Sequence, residues 1–174
     1  MELYSVTDGY INYLQQEHEH VYSNKDRTRI NMRKYIGVVM TVDGHDYFIP
    51  LSSPKPRDYL TAEDGTQQIR KDNFTVFRIV DGDKLYGTIQ FSNMIPVPKG
   101  ELLEYDANAE PDQQYKDLVR KELEYIRKNE GKIISRARAI YYQKCSGLDS
   151  PVLRHCLDYP ALEKMCAAWE EMFG

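Results

Sequence analysis

Two Asp-Gly pairs constrain this chain more than any other feature. Asp43-Gly44 separates IGVVMTV (Ile36 to Val42) from HDYFIPLS, and Asp81-Gly82 separates TVFRIV (Thr75 to Val80) from KLYGTIQF (Lys84 to Phe91). An Asp-Gly pair between β-branched and aromatic runs favours a tight hairpin turn, because both central residues must tolerate positive φ. Two hairpins of this kind commit the middle of the chain to an antiparallel sheet. ELYSV at residues 2 to 6 reads as a further short strand. MIPVP (Met94 to Pro98) reads as a strand limited by its prolines. Residues 57 to 74 show no period and read as a long loop with a helical turn, and residues 99 to 112 as an acidic connection.

Helical spacing appears on both sides of this β region. Thr7 or Asp8 caps a helix through Tyr10, Ile11 and Leu14, which fades before Tyr22. Residues 23 to 34 read as a cationic loop. From Gln113 the residues Tyr115, Leu118, Val119, Glu122, Leu123 and Ile126 fall on one face, and Asn129-Glu130-Gly131 offers a stop. Ile133, Ile134, Ala137, Ile140 and Tyr141 mark a second helix there. After a loop holding Pro151 and Pro160, Ala161 to Phe173 is a third. The pattern predicts an α+β fold: one domain over residues 1–174, a compact antiparallel β-sheet curled toward a barrel, with surrounding helices.

Apolar residues are 41% of the 174 and charged residues 29%, enough for a packed core. No apolar run approaches the ~18 residues of a membrane span. No basic stretch followed by an apolar run opens the chain, so a cytoplasmic location is expected, with no membrane partner. The three cysteines, Cys145, Cys156 and Cys166, have no CxxC spacing, which favours reduced thiols.

The net charge of −4 argues against a polyanionic partner, but its distribution argues the other way. Residues 25 to 34 hold five basic residues and one acid, and residues 113 to 145 hold nine and four. A local basic patch binds a polyanion even on an acidic chain. Lys34, Lys116, Arg120 and Lys121 lie in these blocks. Solvated helix faces are often charged too, which accounts equally well for the second block alone.

There is no Walker A loop, no GxGxxG and no HExxH. His18-Glu19-His20 is the strongest metal-like cluster, yet neighbours on a helix point in different directions. No metal and no cofactor are expected. The informative segment is Pro50-Leu51-Ser52-Ser53-Pro54-Lys55-Pro56-Arg57. A proline holds the residue before it near extended geometry, so Ser53 and Lys55 are both stiffened at a strand exit. Positions two apart project to one side, so a hydroxyl and a cation form a small phosphate receptor there. Counting outward from the Asp43-Gly44 turn puts Ile36 opposite Leu51, and Arg33, with Arg29 upstream, near Pro54. Lys34, of opposite parity, should point away from Arg33. Two cations and hydroxyls at one point suit a phosphodiester, with Arg33 as a planar fork and Lys55 as a point charge. His45 is excluded as a base for Ser53, because eight residues at ~3.3 Å are roughly 26 Å of strand.

RKYIGVVM, DYFIPLSSPKP, GTIQFSNMIPVP and YKDLVRKELEYIRKNEGKIISRARAIYYQK together resemble the type III toxin–antitoxin endoribonucleases, the ToxN, AbiQ and CptN-type proteins. The resemblance covers about residues 1 to 144. It implies a Kid/MazF toxin-like fold and metal-independent cleavage of messenger RNA in bacteria, in phage defence. It also implies a small repeat antitoxin RNA that folds as a pseudoknot, is cut from its precursor by the toxin and stays bound in closed, triangular 3:3 protein–RNA rings. DNA is not an implied partner. The family's basic active-site position falls on Arg33, and its Thr/Ser-Ser-Pro-Lys on Ser52, Ser53 and Lys55. Arg29 stands where some relatives have Tyr.

The implied chemistry is attack of a ribose 2′-hydroxyl on the adjacent phosphate, giving 2′,3′-cyclic phosphate and 5′-hydroxyl ends. Arg33 and Lys55 would stabilise charge, and Ser53, aided by Ser52, would orient the reacting groups. Arg57 and the two basic blocks would bind RNA. Tyr10 and Tyr115 are candidates for base stacking, with core packing as the competing role. Two other classes remain: a non-catalytic RNA-binding β-barrel module, and a protein–protein interaction domain.

Overall fold

The computed structural model describes residues 1–24 and 33–174. Arg29 and most of the first basic block lie outside the described residues. Both expected hairpins form. Strand β2 (Tyr35–Val42) pairs with β3 (His45–Ser52), and Asp43 and Gly44 between them take φ of 48° and 87°. Strands β6 (Val76–Asp81) and β7 (Lys84–Gln90) form the second hairpin, with Gly82 at φ 57°. β1 (Glu2–Val6) adds to β2, and β8 (Ile95–Pro96) pairs with β3.

Two parts of the β structure are not in the sequence reading. The segment expected as a loop contains a small hairpin, β4 (Tyr59–Thr61) with β5 (Gln67–Ile69). The acidic connection contains β9 (Leu102–Glu104), which pairs with β1. These strands are three residues each, too short for alternation to register in the sequence.

The main sheet runs β6-β7-β3-β2-β1-β9, and among the described residues no pairing joins its two ends. The expected antiparallel sheet with surrounding helices is therefore present, and its described pairings leave it open. β3 lies at its centre. One edge pairs with β2, and the other is shared, with Tyr47 and Phe48 on β8 and Leu51 and Ser52 on β7. This placement explains why FIPLS is buried without a break: covered on both faces, a strand loses its polar alternation.

Four helices cover the sheet among the described residues: α1 (Asp8–Glu17), α2 (Gln113–Lys128), α3 (Glu130–Cys145) and α4 (Tyr159–Phe173). Thr7 caps α1, its side chain accepting from the Tyr10 amide, and Asp112 and Asp158 cap α2 and α4. α2 lies on β6 and β7, α3 on β2, and α4 on β8. No described helix is long and apolar enough to cross a membrane.

The tyrosine-rich composition is resolved in the core. Tyr47 and Tyr141 both donate to Glu163 Oε1 at 2.7 Å, and their rings meet at 5.4 Å. Tyr159 stacks on Tyr141 and donates to the Phe91 carbonyl. Tyr10, wholly buried, donates to the Pro96 carbonyl. Each ring thus supplies apolar area while its hydroxyl finds an internal partner. Tyr10 presents no face to a nucleobase, so its expected stacking role is withdrawn.

The β2–β3 register departs from simple counting. Met40, Thr41 and Val42 pair with Tyr47, Asp46 and His45, but Ile36 pairs with Ile49 and Tyr35 with Pro50. Gly37, Val38 and Val39 therefore stand opposite Phe48 alone, a bulge in β2. A Cβ at Gly37 would fall within the Phe48 ring. Gly37→Ala is expected to lower stability by about 1–3 kcal/mol through overpacking, read as a lower urea midpoint with unchanged m-value.

Candidate active site at the exit of the central strand

The bulge moves the cations relative to β3. The Leu51 amide donates to the Lys34 carbonyl at 2.8 Å. Lys34 therefore lies opposite Leu51, where counting had placed Ile36, and Arg33 lies beside Ser52 rather than Pro54. Arg33 is buried, its Nη1 donating to the Leu51 carbonyl at 3.0 Å and its Nε to the Ser23 carbonyl at 3.1 Å. Its guanidinium lies 4.5 Å from the Tyr22 ring centroid. The fork expected to grip a phosphate is turned onto main-chain carbonyls, where it fixes the strand exit.

Lys34 goes to different neighbours, as its parity requires, but into a buried polar cluster rather than onto an RNA-facing surface. Its Nζ donates to the Tyr115 hydroxyl at 2.5 Å and lies over the Tyr115 and Tyr105 rings, 4.3 and 5.7 Å from their centroids. Glu122 Oε2 is 3.7 Å from the same nitrogen, beyond hydrogen-bond reach, and has no hydrogen-bond partner. Burial pushes the Glu122 carboxyl up to about 7, while the nearby Lys34 charge pulls it down. Desolvation at this near-complete burial exceeds the pull of the single nearby ammonium.

This cluster adjoins the Ser52 backbone. A Cβ on Gly87 of β7 would lie 2.6 Å from Glu122 Oε1 and 3.2 Å from the Ser52 carbonyl oxygen. Only a residue without a side chain lets α2 bring its carboxylate this close to the sheet. Thr88 donates to the Ser52 carbonyl and in turn accepts from Gln90 at 2.7 Å. Ser52 itself is buried, whereas Ser53, Lys55 and Arg57 are exposed just beyond the strand end.

The turn after the strand is held by a second buried pair. Asp58 Oδ2 accepts from the Lys55 amide at 2.9 Å, and its Oδ1 from Arg78 Nη2 at 3.3 Å. Arg78 Nη1 donates to the Lys71 carbonyl. Lys55 keeps the extended conformation expected before a proline, at φ −126° and ψ 158°. The arrangement carries an exposed hydroxyl and an exposed ammonium on a fixed backbone, directly after the Ser52 carbonyl that adjoins the Lys34–Tyr115–Glu122 cluster. Such a set can orient an anionic ester and stabilise charge that develops on it.

On α2, Lys116 donates to the Asn108 carbonyl, Arg120 to Asn108 Oδ1 and Lys121 to the Tyr86 hydroxyl. Arg127 pairs with Glu2, and Lys128 with Glu124. Part of the second basic block is thus already matched within the fold. Glu122, Asp58, Arg78 and Gly87 were not singled out as site residues from the sequence. Glu122 carried a signal, a carboxylate on an otherwise apolar helix stripe. The other three depend on contacts between distant segments.

The comparisons agree with this architecture. The family model for toxin ToxN of type III toxin–antitoxin systems matches residues 2–167. The chain is 28% identical to endoribonuclease ToxN of Bacillus thuringiensis subsp. kurstaki, over 98% of this chain and 84% of the relative. A solved structure of AbiQ, described as a lactococcal anti-phage endoribonuclease of a type III system, superposes with TM-score 0.81 at 25% identity, covering 98% of each chain. A second solved structure, from work describing selective toxin inhibition by a non-coding RNA pseudoknot, superposes at 0.78 with 27% identity, again over 98% of each chain. With nearly its whole length matched, this chain belongs to the ToxN family of type III toxin–antitoxin toxins.

Proposed function

We propose that this protein is a bacterial endoribonuclease toxin that cleaves messenger RNA and its own repeat antitoxin precursor at the exit of β3. The bound pseudoknot RNA inhibits it, in closed 3:3 rings in the cytoplasm, as part of phage defence. The observation that carries the catalytic reading is the fixed Ser52-Ser53-Pro54-Lys55 exit beside the Lys34–Tyr115–Glu122 cluster. The names of the relatives support the reaction class. The Kid/MazF likeness belongs to the same proposal, supported by β3 passing from β8 to β7 along one edge.

In the reaction, the 2′-hydroxyl gives up its proton to water as its oxygen forms a bond to phosphorus, the bond to the 5′-oxygen breaks, and that oxygen takes up a proton from water. The Ser53 hydroxyl orients the phosphate, and the Lys55 ammonium offsets its growing negative charge. Lys34 adds positive potential from the adjoining cluster. Arg33 is a positioning residue, since it fixes the Leu51 carbonyl immediately before Ser52. Glu122 acts through Lys34 and Tyr115. None of these steps calls on a metal ion.

A purified sample in excess EDTA should cleave unstructured RNA to 2′,3′-cyclic phosphate and 5′-hydroxyl ends. Binding without such ends would instead identify a non-catalytic RNA-binding module. Ser53→Ala and Lys55→Ala should each slow single-turnover cleavage roughly 10²-fold, with little change in melting temperature because both side chains are exposed. The double variant should lose less than the product of the two. Arg33→Ala should lower stability as well as rate, since it removes the hydrogen bonds to the Leu51 and Ser23 carbonyls.

Glu122 also makes stability depend on pH. Its ordinary value is 4.5, against about 7 in the fold. Between these values the folded chain keeps a proton that the unfolded chain releases, so this contribution falls as pH rises, by roughly 3 kcal/mol in total. It is full below pH 4.5 and gone above about 7. Urea unfolding should show the wild type losing stability from pH 5 to 7 relative to Glu122→Gln. Parallel pH profiles would contradict this assignment.

RNA affinity should fall with salt, and neutralising Lys116, Arg120 and Lys121 together should make the log–log slope shallower. An unchanged slope in a filter-binding titration would take this helix face out of the interface.

A further inference from the structure

At the end of β3 away from the candidate active site, three side chains of different chemistry converge. Cys166 and Glu170 lie one turn apart on α4, so they share a face. His45 is the first residue of β3, directly after the Asp43-Gly44 turn. One imidazole nitrogen, the Cys166 sulfur and one Glu170 oxygen all lie within 4.8 Å of one another. They border a cavity of about 230 Å³ closed on one side by Val97, Trp169 and Phe173.

The nearby acids are already committed. Glu101 accepts from the Thr7 hydroxyl and, at 2.9 Å, from the Trp169 indole nitrogen. Asp46 accepts from the Thr41 hydroxyl. His45, Cys166 and Glu170 carry no such bonds to one another, and the cavity leaves room for water at a fourth position.

We propose that His45, Cys166 and Glu170 form a binding site for a zinc-class divalent cation. One nitrogen, one thiolate sulfur and one carboxylate oxygen suit a borderline-soft ion, and calcium or magnesium would prefer oxygen alone. Tetrahedral bonds of about 2.0–2.3 Å bring ligand atoms roughly 3.5 Å apart. Closing from 4.8 Å asks for a shift of about 1 Å, which the exposed Glu170 and half-exposed His45 side chains can make. Binding displaces the Cys166 thiol proton to solvent. Seven residue steps of extended strand lead from His45 to Ser52, roughly 23 Å, so the ion is remote from the proposed chemistry. Its effect is to fasten α4 to the β2–β3 turn, joining two distant parts of the chain.

The test uses the whole chain, stripped with EDTA and titrated with Co²⁺ or Zn²⁺. One equivalent of Co²⁺ should bind with a sulfur-to-cobalt charge-transfer band, and Zn²⁺ should abolish that band. Zn²⁺ should raise the melting temperature and leave the initial RNA cleavage rate unchanged. His45→Ala and Glu170→Gln, neither of them a core position, should each weaken Zn²⁺ binding at least about tenfold. Cys166→Ser should lose the charge-transfer band. Failure of both ions to bind stoichiometrically at micromolar concentration would overturn the proposal. Binding undiminished in His45→Ala and Glu170→Gln would also overturn it.

Discussion

The β2–β3 pairing shifts by two residues between Ile36 and Met40, and the site is arranged around that shift. Without it Lys34 would lie beyond Leu51 and its side chain would miss α2. With it, the Lys34 carbonyl closes a ladder bond to Leu51, and its ammonium reaches Tyr115 and Glu122. Arg33 is brought onto the Leu51 carbonyl in the same step. The bulge is accommodated where Gly37 leaves room for the Phe48 ring. A backbone irregularity inside a hairpin thus sets how far along β3 the two adjacent cations lie, while their opposite parity sends one into the polar cluster and the other onto the strand.

Burying Lys34 and Glu122 together is costly, since neither ion keeps its hydration and the 3.7 Å separation gives no hydrogen bond in return. The fold offsets part of this with the Tyr115 hydroxyl and two aromatic faces around the ammonium. The Glu122 carboxyl, left with an unpartnered oxygen, instead holds a proton up to about pH 7. Natural sequences keep such locally unfavourable groups chiefly where function needs them. The Asp58–Arg78 pair differs, because its two side chains are in direct hydrogen-bond contact at 3.3 Å, with Asp58 also accepting from the Lys55 amide and Arg78 also donating to the Lys71 carbonyl.

Zinc at His45, Cys166 and Glu170 would act at the other end of β3. The two ends of one strand would then carry separate tasks, RNA chemistry at Ser52–Lys55 and fastening of α4 at His45. This division explains how a chain with a metal-independent reaction can still gain stability from a metal.

Much of the molecule was legible in the sequence. The two Asp-Gly hairpins, the capped first helix and the Tyr115–Ile126 stripe are local patterns, set by turn chemistry and side-chain period. The stiffened Ser53 and Lys55 are local too, since each owes its geometry to the next proline. The bulge was not legible, because β-branched residues fill β2 whether or not the ladder slips, so counting put Arg33 two residues too far along. The open sheet was also hidden, because closure depends on whether β6 and β9 meet, and no local pattern encodes that. Cys166 and Glu170 showed helical spacing, but their third partner is 121 positions away from Cys166, at residue 45. The turns, the helix faces and the stiff hydroxyl–cation exit follow from local order along the chain, because each depends only on near neighbours. The tertiary structure alone decided that Lys34 meets Glu122, that Arg33 turns inward, and that His45 meets α4, because those contacts exist only once distant segments share one core.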